Sequence, residues 1–346
     1  MHGLRQKFPR RVLVVAAAAL FIANTINIGS DLSGMADAAG MLTGVSSHVY
    51  VILFAIFLGW ATISVPYVAI ARILKWLALV LSAYIITAFT LHPDWSAVLH
   101  STFTPRVPST RDGWATLVAI LGTTISPYLF FWQSSNEVEE EKSKGRRRAV
   151  DREGASKFDI RRRKLDVGIG TFASNLAMYF IILTTGLTLH AHGITHVSTS
   201  REVAEALKPL AGKFAALLYT IGLIGTGALA IPTLSGSAAY AFAEVFDWKQ
   251  GMAERPRAAP AFYGVVAAAM GVAVVQNFAN INAVAALYWT AVINGCLAPF
   301  LLVGILIVAS DSRIMKGQRS SLLGRVTVGV ATAAMFAAAG AAFFFV

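Results

Sequence analysis

Long apolar runs broken by short polar ones set the pattern of this chain. Nine such runs stand out, at 11–31, 48–69, 74–92, 114–134, 165–190, 214–242, 259–277, 283–309 and 324–346. Each is near the roughly 20 residues that a helix needs to cross the hydrocarbon core of a bilayer. The runs are solidly apolar, whereas a membrane barrel would alternate apolar and polar positions over about ten residues. The pattern therefore predicts an all-α polytopic membrane protein of about nine transmembrane helices.

The loops test that count. With the N-terminus inside, the inner loops hold 24 of the 29 Lys and Arg residues, and the outer loops hold Arg106, Arg111, Arg201, Lys208 and Lys213. Basic residues collect on the cytoplasmic side of membrane proteins, and one miscounted helix would scramble the alternation. The expected placement is a multi-pass protein of the cytoplasmic (inner) membrane.

Composition agrees: of 346 residues, 56% are hydrophobic and 14% charged, with a mean hydropathy of +0.63. Soluble domains are nearer a quarter charged. The net charge of +11 would suit a nucleic-acid binder, but the positive-inside bias accounts for it, so the expected partner is the lipid bilayer and not a nucleic acid. The opening "MHGLRQKFPRRVLVVAAAALFIA" has the basic head and apolar body of a signal peptide. It runs on into Asn24, Asn27 and Asp31, which reads as one long helix with a polar end. The single cysteine, Cys296, rules out an intramolecular disulfide. The segment 136–164 is a basic cytoplasmic loop, read as a solvated face and orientation signal, with gating or partner binding as the alternative. Small residues in "GLIGTGALA" suit close helix packing in lipid.

Chemistry concentrates at one place. In "GTTISPYLFFWQSSNEVEEEKSKGRRR", Gly122 to Arg148, the apolar run breaks at Pro127. Proline lacks an N–H and clashes with the preceding turn. Backbone freed in this way persists at membrane depth only where protein buries it or a wet cavity receives it. Thr123, Thr124, Ser126 and Tyr128 flank the break. Their oxygens, with the carbonyls of the unwound turn, form a hard donor set suited to divalent cations. Discontinuous helices hold substrates near the midplane of secondary transporters. An ordinary proline kink satisfied by neighbouring helices is the alternative.

Asp31 is an ionisable residue at membrane depth, hence a candidate for an ion or proton route, or a group solvated at the interface. Asn175 and Asn294 read as polar support between helices. Signatures of soluble catalysis are missing: there is no Gly-x-Ser-x-Gly, His-Glu-x-x-His or phosphate loop. A transporter is expected, not an enzyme.

Taken together, "GTTISPYLFFWQSSNEVEEE", "NTINIGSDLSGMADAAG", "SNLAMYFII", "GLIGTGALAIPTLSGSAAYAFAEVFDW" and "LYWTAVINGCLAPFLL" resemble the natural resistance-associated macrophage protein (Nramp) family of divalent metal transporters, and more narrowly its divergent Nramp-related bacterial branch. The resemblance implies a leucine-transporter-like fold of two inverted five-helix repeats. On that reading 11–92 is the remnant of the first repeat, 114–309 is the second five-helix repeat, and 324–346 is an extra C-terminal helix, all within one transmembrane domain. It implies a divalent cation as cargo, protons as a candidate coupling partner, and no cofactor.

The same resemblance exposes departures. The family's first two helices, with the Asp-Pro-Gly-Asn metal motif, have no counterpart here, and Met1 reads as an internal start within a longer gene, with a degraded gene as the alternative. Where the family has Met-Pro-His, this chain has Ser126, Pro127 and Tyr128. Hydroxyls in place of a thioether predict a site tolerant of Mg²⁺. Asp31 falls on the family's proton route, but Gly34 replaces its acidic partner, so uncoupled transport is expected. An organic-solute carrier of the same fold, or a non-transporting membrane protein, are the competing readings.

Overall fold

The computed structural model describes residues 5, 7–65, 79–146, 154, 156–194, 197, 200–207, 212–279, 281–315 and 318–344. Among them there is no strand. The main helices are α1 (Arg10–Thr43), α2 (Ser47–Ser64), α3 (Ser82–Thr90), α4 (Trp95–Phe103), α5 (Arg111–Thr124), α6 (Pro127–Ser143), α7 (Lys157–Thr188), α8 (Ser200–Glu205), α9 (Ala215–Phe246), α10 (Pro260–Phe278), α11 (Ala283–Ser310) and α12 (Leu322–Phe344). Eight candidate membrane spans result among the described residues, with α5 and α6 together making one. The expected segment at 74–92 is represented by α3 and a short 3₁₀ turn, Leu79–Leu81. Its first residues, like 66–69 of the second segment, lie outside the described part.

α1 is the axle of the bundle. At about 1.5 Å per residue, its 34 residues give about 50 Å, more than the hydrocarbon core needs. One face packs along α9, and α10, α11 and α2 cover the others. Its buried positions Leu13, Ala17, Leu20, Asn24, Ile28, Leu32, Met35 and Ala39 step by three or four, the spacing of one helical face. Ile28, Leu32 and Met35 form the central apolar cluster with Ile231 and Leu234 of α9 and Ala269 and Ala273 of α10. The helix ends at Gly44, whose φ of 77° is the left-handed conformation that glycine adopts without a Cβ clash.

Backbone-to-backbone approach fixes α5 on α11. A Cβ on Gly122 would lie 2.0 Å from the Ala291 carbonyl oxygen, and one on Gly295 would lie 2.2 Å from that of Val118. Only glycine at both positions allows this contact. α12 covers the outside of the pair, around Ala338 and Ala339.

Polar side chains tie the helices together, because a hydrogen bond withheld in lipid has no water to replace it. Asn24 Nδ2 donates to the Leu234 carbonyl at 2.8 Å, Thr220 Oγ1 to Ala38 at 3.1 Å, Thr184 Oγ1 to Tyr84 at 2.9 Å and Asn277 Nδ2 to Gly29 at 2.9 Å.

Candidate functional site

The break at Pro127 is real and short. α5 ends at Thr124, Ile125 turns (φ −117°, ψ 62°), Ser126 is extended (φ −75°, ψ 128°), and Pro127 opens α6 as its first residue. Proline is favoured there, since that N–H would be an orphan anyway. The cost falls on α5. In a continuous helix Ser126 N–H would serve the Gly122 carbonyl, and residue 127 would serve Thr123. Instead the Ser126 hydroxyl covers both, at 2.8 Å to Gly122 O and 3.1 Å to Thr123 O. Ser126 is 4% exposed, so water does not do this work.

The neighbouring hydroxyls behave alike. Thr124 Oγ1 donates to Ile120 O at 3.0 Å and Leu121 O at 2.9 Å. Thr123 Oγ1 donates to Ile120 O at 2.9 Å and lies 4.0 Å from Met178 Sδ on α7. Each hydroxyl spends its hydrogen on the backbone and keeps lone pairs, and each carbonyl keeps a second lone pair. The last turn of α5 is thus a dense group of oxygen acceptors, at the end of a helix where the macrodipole is negative. Tyr128 leaves this group: its ring packs between the α1/α9 cluster of Ile28 and Leu32 and the cluster of Leu13, Leu20 and Phe131.

Asp31 is not at a helix end. α1 continues to Thr43, so the interfacial reading gives way, and its Oδ2 is buried with no hydrogen-bond partner among the described residues. Asn294 is 5% exposed, its Oδ1 likewise unmet, beside Gly295 at the α5–α11 contact. Asn175 does not bridge helices: it is exposed and donates to Thr171 of its own helix at 2.8 Å.

The helices held together at the polar ends were partly hidden in sequence. Within "EVEEE", read as solvated, Glu139 turns inward. Its carboxylate accepts from the Tyr240 hydroxyl and from Met252 N at 2.8 Å, clamping α6 to α9 and to the turn before α10. Its neighbours stay at the surface: Glu137 and Glu141 meet Arg163 at 3.0 and 3.4 Å.

A bundle of membrane-length helices, with one span interrupted at a group of oxygen donors, defines a polytopic membrane protein of the discontinuous-helix class. The model of the family described as natural resistance-associated macrophage protein-like (Nramp) matches residues 1–344, and the chain belongs to that family. It is 25% identical over 224 residues to a divalent metal cation transporter MntH from Caldanaerobacter subterraneus subsp. tengcongensis, covering 60% of this chain and 51% of the relative. It is 30% identical over 165 residues to MntH from Yersinia pestis, covering 46% and 37%. The chain thus spans about half the length of these relatives or less. A crystal structure of a manganese transporter from Eremococcus coleocola superposes with a TM-score of 0.63 at 14% identity, over 97% of this chain and 72% of the other. The leucine-transporter-like architecture implied by the sequence resemblance is the fold observed.

Proposed function

We propose that this chain carries divalent cations across the cytoplasmic membrane as a secondary transporter, with the ion held at the break between α5 and α6. One observation carries the reading. A helix inside the bundle is interrupted for two residues, and Thr123, Thr124 and Ser126 gather their oxygens and the carbonyls of one turn there. An unused interruption at membrane depth is costly, and carbonyls of this kind coordinate cations in transporters. Relatives named as divalent metal cation transporters agree with this. The donors are hard, so Mg²⁺ and Mn²⁺ are both cargo, with Mg²⁺ keeping part of its water. Tyr128 shapes the wall of the site. Asp31, buried with an unmet oxygen, is the ion or proton relay nearest along α1, and without a second acidic group a turn later the transport runs uncoupled.

Uptake into proteoliposomes tests this. Mn²⁺ and Mg²⁺ should both enter above the level of empty liposomes, with little dependence on external pH between 5 and 7.5. The Ser126→Met variant restores a thioether and should raise the Mn²⁺ to Mg²⁺ uptake ratio by about tenfold, since softer ligands favour softer ions. Uptake of neither ion, or uptake of amino acids instead, overturns the reading. Steep stimulation by acid overturns the uncoupled part of it.

A further inference from the structure

At the end of the bundle opposite the basic loops, α1, α2 and the α10–α11 connection line a half-open cavity of about 200 Å³. Ser33, Asp37, Ser47, His48, Asn277 and Asn282 supply its polar lining, and among the described residues no Lys or Arg lines it. It is separate from the break at Pro127.

The polar atoms are biased towards acceptors. Among the described residues Asp37 carries the one carboxylate of the lining, and Ser47 and His48 line the same cavity. Asn277 spends both amide hydrogens elsewhere, on Gly29 O at 2.9 Å and Ala273 O at 2.8 Å. Two carbonyl partners settle which end of the amide is nitrogen, so Oδ1 is the atom left for the cavity. The Asn282 carbonyl caps α11 by accepting from Ala285 N at 2.9 Å, which fixes the connection that forms one wall. The His48 ring rests against Phe278, 5.2 Å between centroids, which limits its rotation. The Asp37 carboxylate and the Asn277 oxygen on the α1 and α10 walls favour a cation, while the first turn of α11 contributes a donor-bearing wall.

We propose that this cavity is a second, outer divalent-cation site, with Asp37, His48 and the Asn277 side-chain oxygen as its protein ligands. Among the described residues no group of three or more His, Cys, Asp or Glu side chains could hold a metal, so the ion is only partly stripped. Water occupies about 30 Å³ in the liquid, and the cavity has room for an ion and several waters. Imidazole beside carboxylate and amide oxygens suits Mn²⁺ better than Mg²⁺. Asp37 lies six residues from Asp31 on α1, about 9 Å along the helix. Binding here does not rest on the transport reading above.

Binding is measured on the full chain in lipid nanodiscs, following loss of the free Mn²⁺ signal by electron paramagnetic resonance. The parent chain should bind one more Mn²⁺ than Asp37→Asn or His48→Gln, or bind it at least tenfold more tightly, while Ser126→Met keeps the outer ion. His48 is exposed, so His48→Gln gives an answer even if Asp37→Asn fails to fold. Unchanged stoichiometry and affinity in His48→Gln, or no bound Mn²⁺ in the parent chain at millimolar metal, overturns the proposal. Loss of uptake with the outer ion still bound counts against the transport reading and leaves this site standing.

Discussion

Ser126 shows how one side chain keeps an interrupted helix tolerable. Its hydroxyl lies within reach of the carbonyls of both Gly122 and Thr123, the two acceptors that lost helical donors at Ser126 and Pro127. Removing one partner of a buried pair leaves the other unmet at about 1–3 kcal/mol. Ser126→Ala should therefore destabilise the protein by about that amount, seen as a lower melting midpoint in detergent. Ser126→Thr keeps the hydroxyl and should recover most of it. If Ser126→Ala melts with the parent chain, water or an ion satisfies those carbonyls, and the structural account of Ser126 fails. Divalent ions should in that case protect the variant more than they protect the parent, because binding to the native state alone shifts its melting.

The same oxygen can cap the backbone and face an ion. A hydroxyl donates one hydrogen and offers two lone pairs, so structure and ligand binding are not rival explanations at this position. Thr123 and Thr124 follow the same rule. At Tyr128 the balance tips towards packing, since its ring joins two apolar clusters.

Helices were legible in the sequence because lipid leaves few choices. An apolar run of membrane length must satisfy its backbone internally, and the observed spans begin and end within a few residues of the expected runs in most cases. α6 runs on to Ser143, past the expected 134, and α7 starts already at Lys157, ahead of the expected 165, and α1 departs furthest. Its run seemed to end at Asp31, yet the helix continues to Thr43, because Gly34, Ala36, Ala38 and Ala39 are small enough to stay packed in the bundle. The break was legible because hydroxyls flank Pro127 on both sides; proline alone does not mark one, since Pro232 and Pro299 lie inside unbroken α9 and α11. The interhelical hydrogen bonds were not. Asn175 and Asn294 were read as polar support between helices, yet it is Asn24 and Asn277 that bond across helices, because which asparagine meets a neighbour depends on helix rotation, and uniformly apolar helices carry no signal for that. Glu139 was hidden for a similar reason: within a run of acids, only the partner Tyr240 distinguishes it.

Close helix contact makes a sharper test at this scale. Gly122→Ala would place a methyl 2.0 Å from Ala291 O and 2.4 Å from Gly295 N. Both are backbone atoms, so α5 and α11 must separate. Overpacking of this kind costs about 1–3 kcal/mol and sometimes more. Gly264→Ala is the control, because its Cβ would meet nothing within 4 Å and alanine is the better helix former by about 1 kcal/mol. The expected result is a lower melting midpoint for Gly122→Ala and an unchanged or higher one for Gly264→Ala. Equal behaviour of the two would mean that α5 and α11 are not in backbone contact in the membrane.

At the scale of the molecule, the N-terminal segment staples the basic end of the bundle. Arg5 pairs with Asp247, just past α9, and Arg10 lies over the Phe246 ring, 5.1 Å from its centroid. Lys7 reaches Asp311, just past α11, at 2.5 Å. Three contacts within six residues thus hold the ends of α9 and α11 to the start of α1. These segments were all assigned to the inner side from charge alone, and each ion pair here joins residues assigned to that one side. The pair at Asp311 has a pH signature. Its carboxyl is lowered from 3.8 to about 2, first by the Lys7 ammonium and then by the backbone N–H groups of Arg313 and Ile314. A carboxyl with a lowered native pKa stabilises the fold fully above its unfolded pKa and loses that effect as pH falls through the native value. The melting difference between the parent chain and Asp311→Asn should therefore be constant from pH 7 to about pH 4. It should shrink below pH 4, fall to a small fraction near pH 2 and vanish below that. The pair is exposed enough for salt to weaken it, so the difference should also narrow in high salt. A melting difference that persists unchanged at pH 2 would assign the effect of Asp311→Asn to its neutral hydrogen bonds to Arg313 and Ile314 and remove the Lys7 staple from the account of how α1 is anchored.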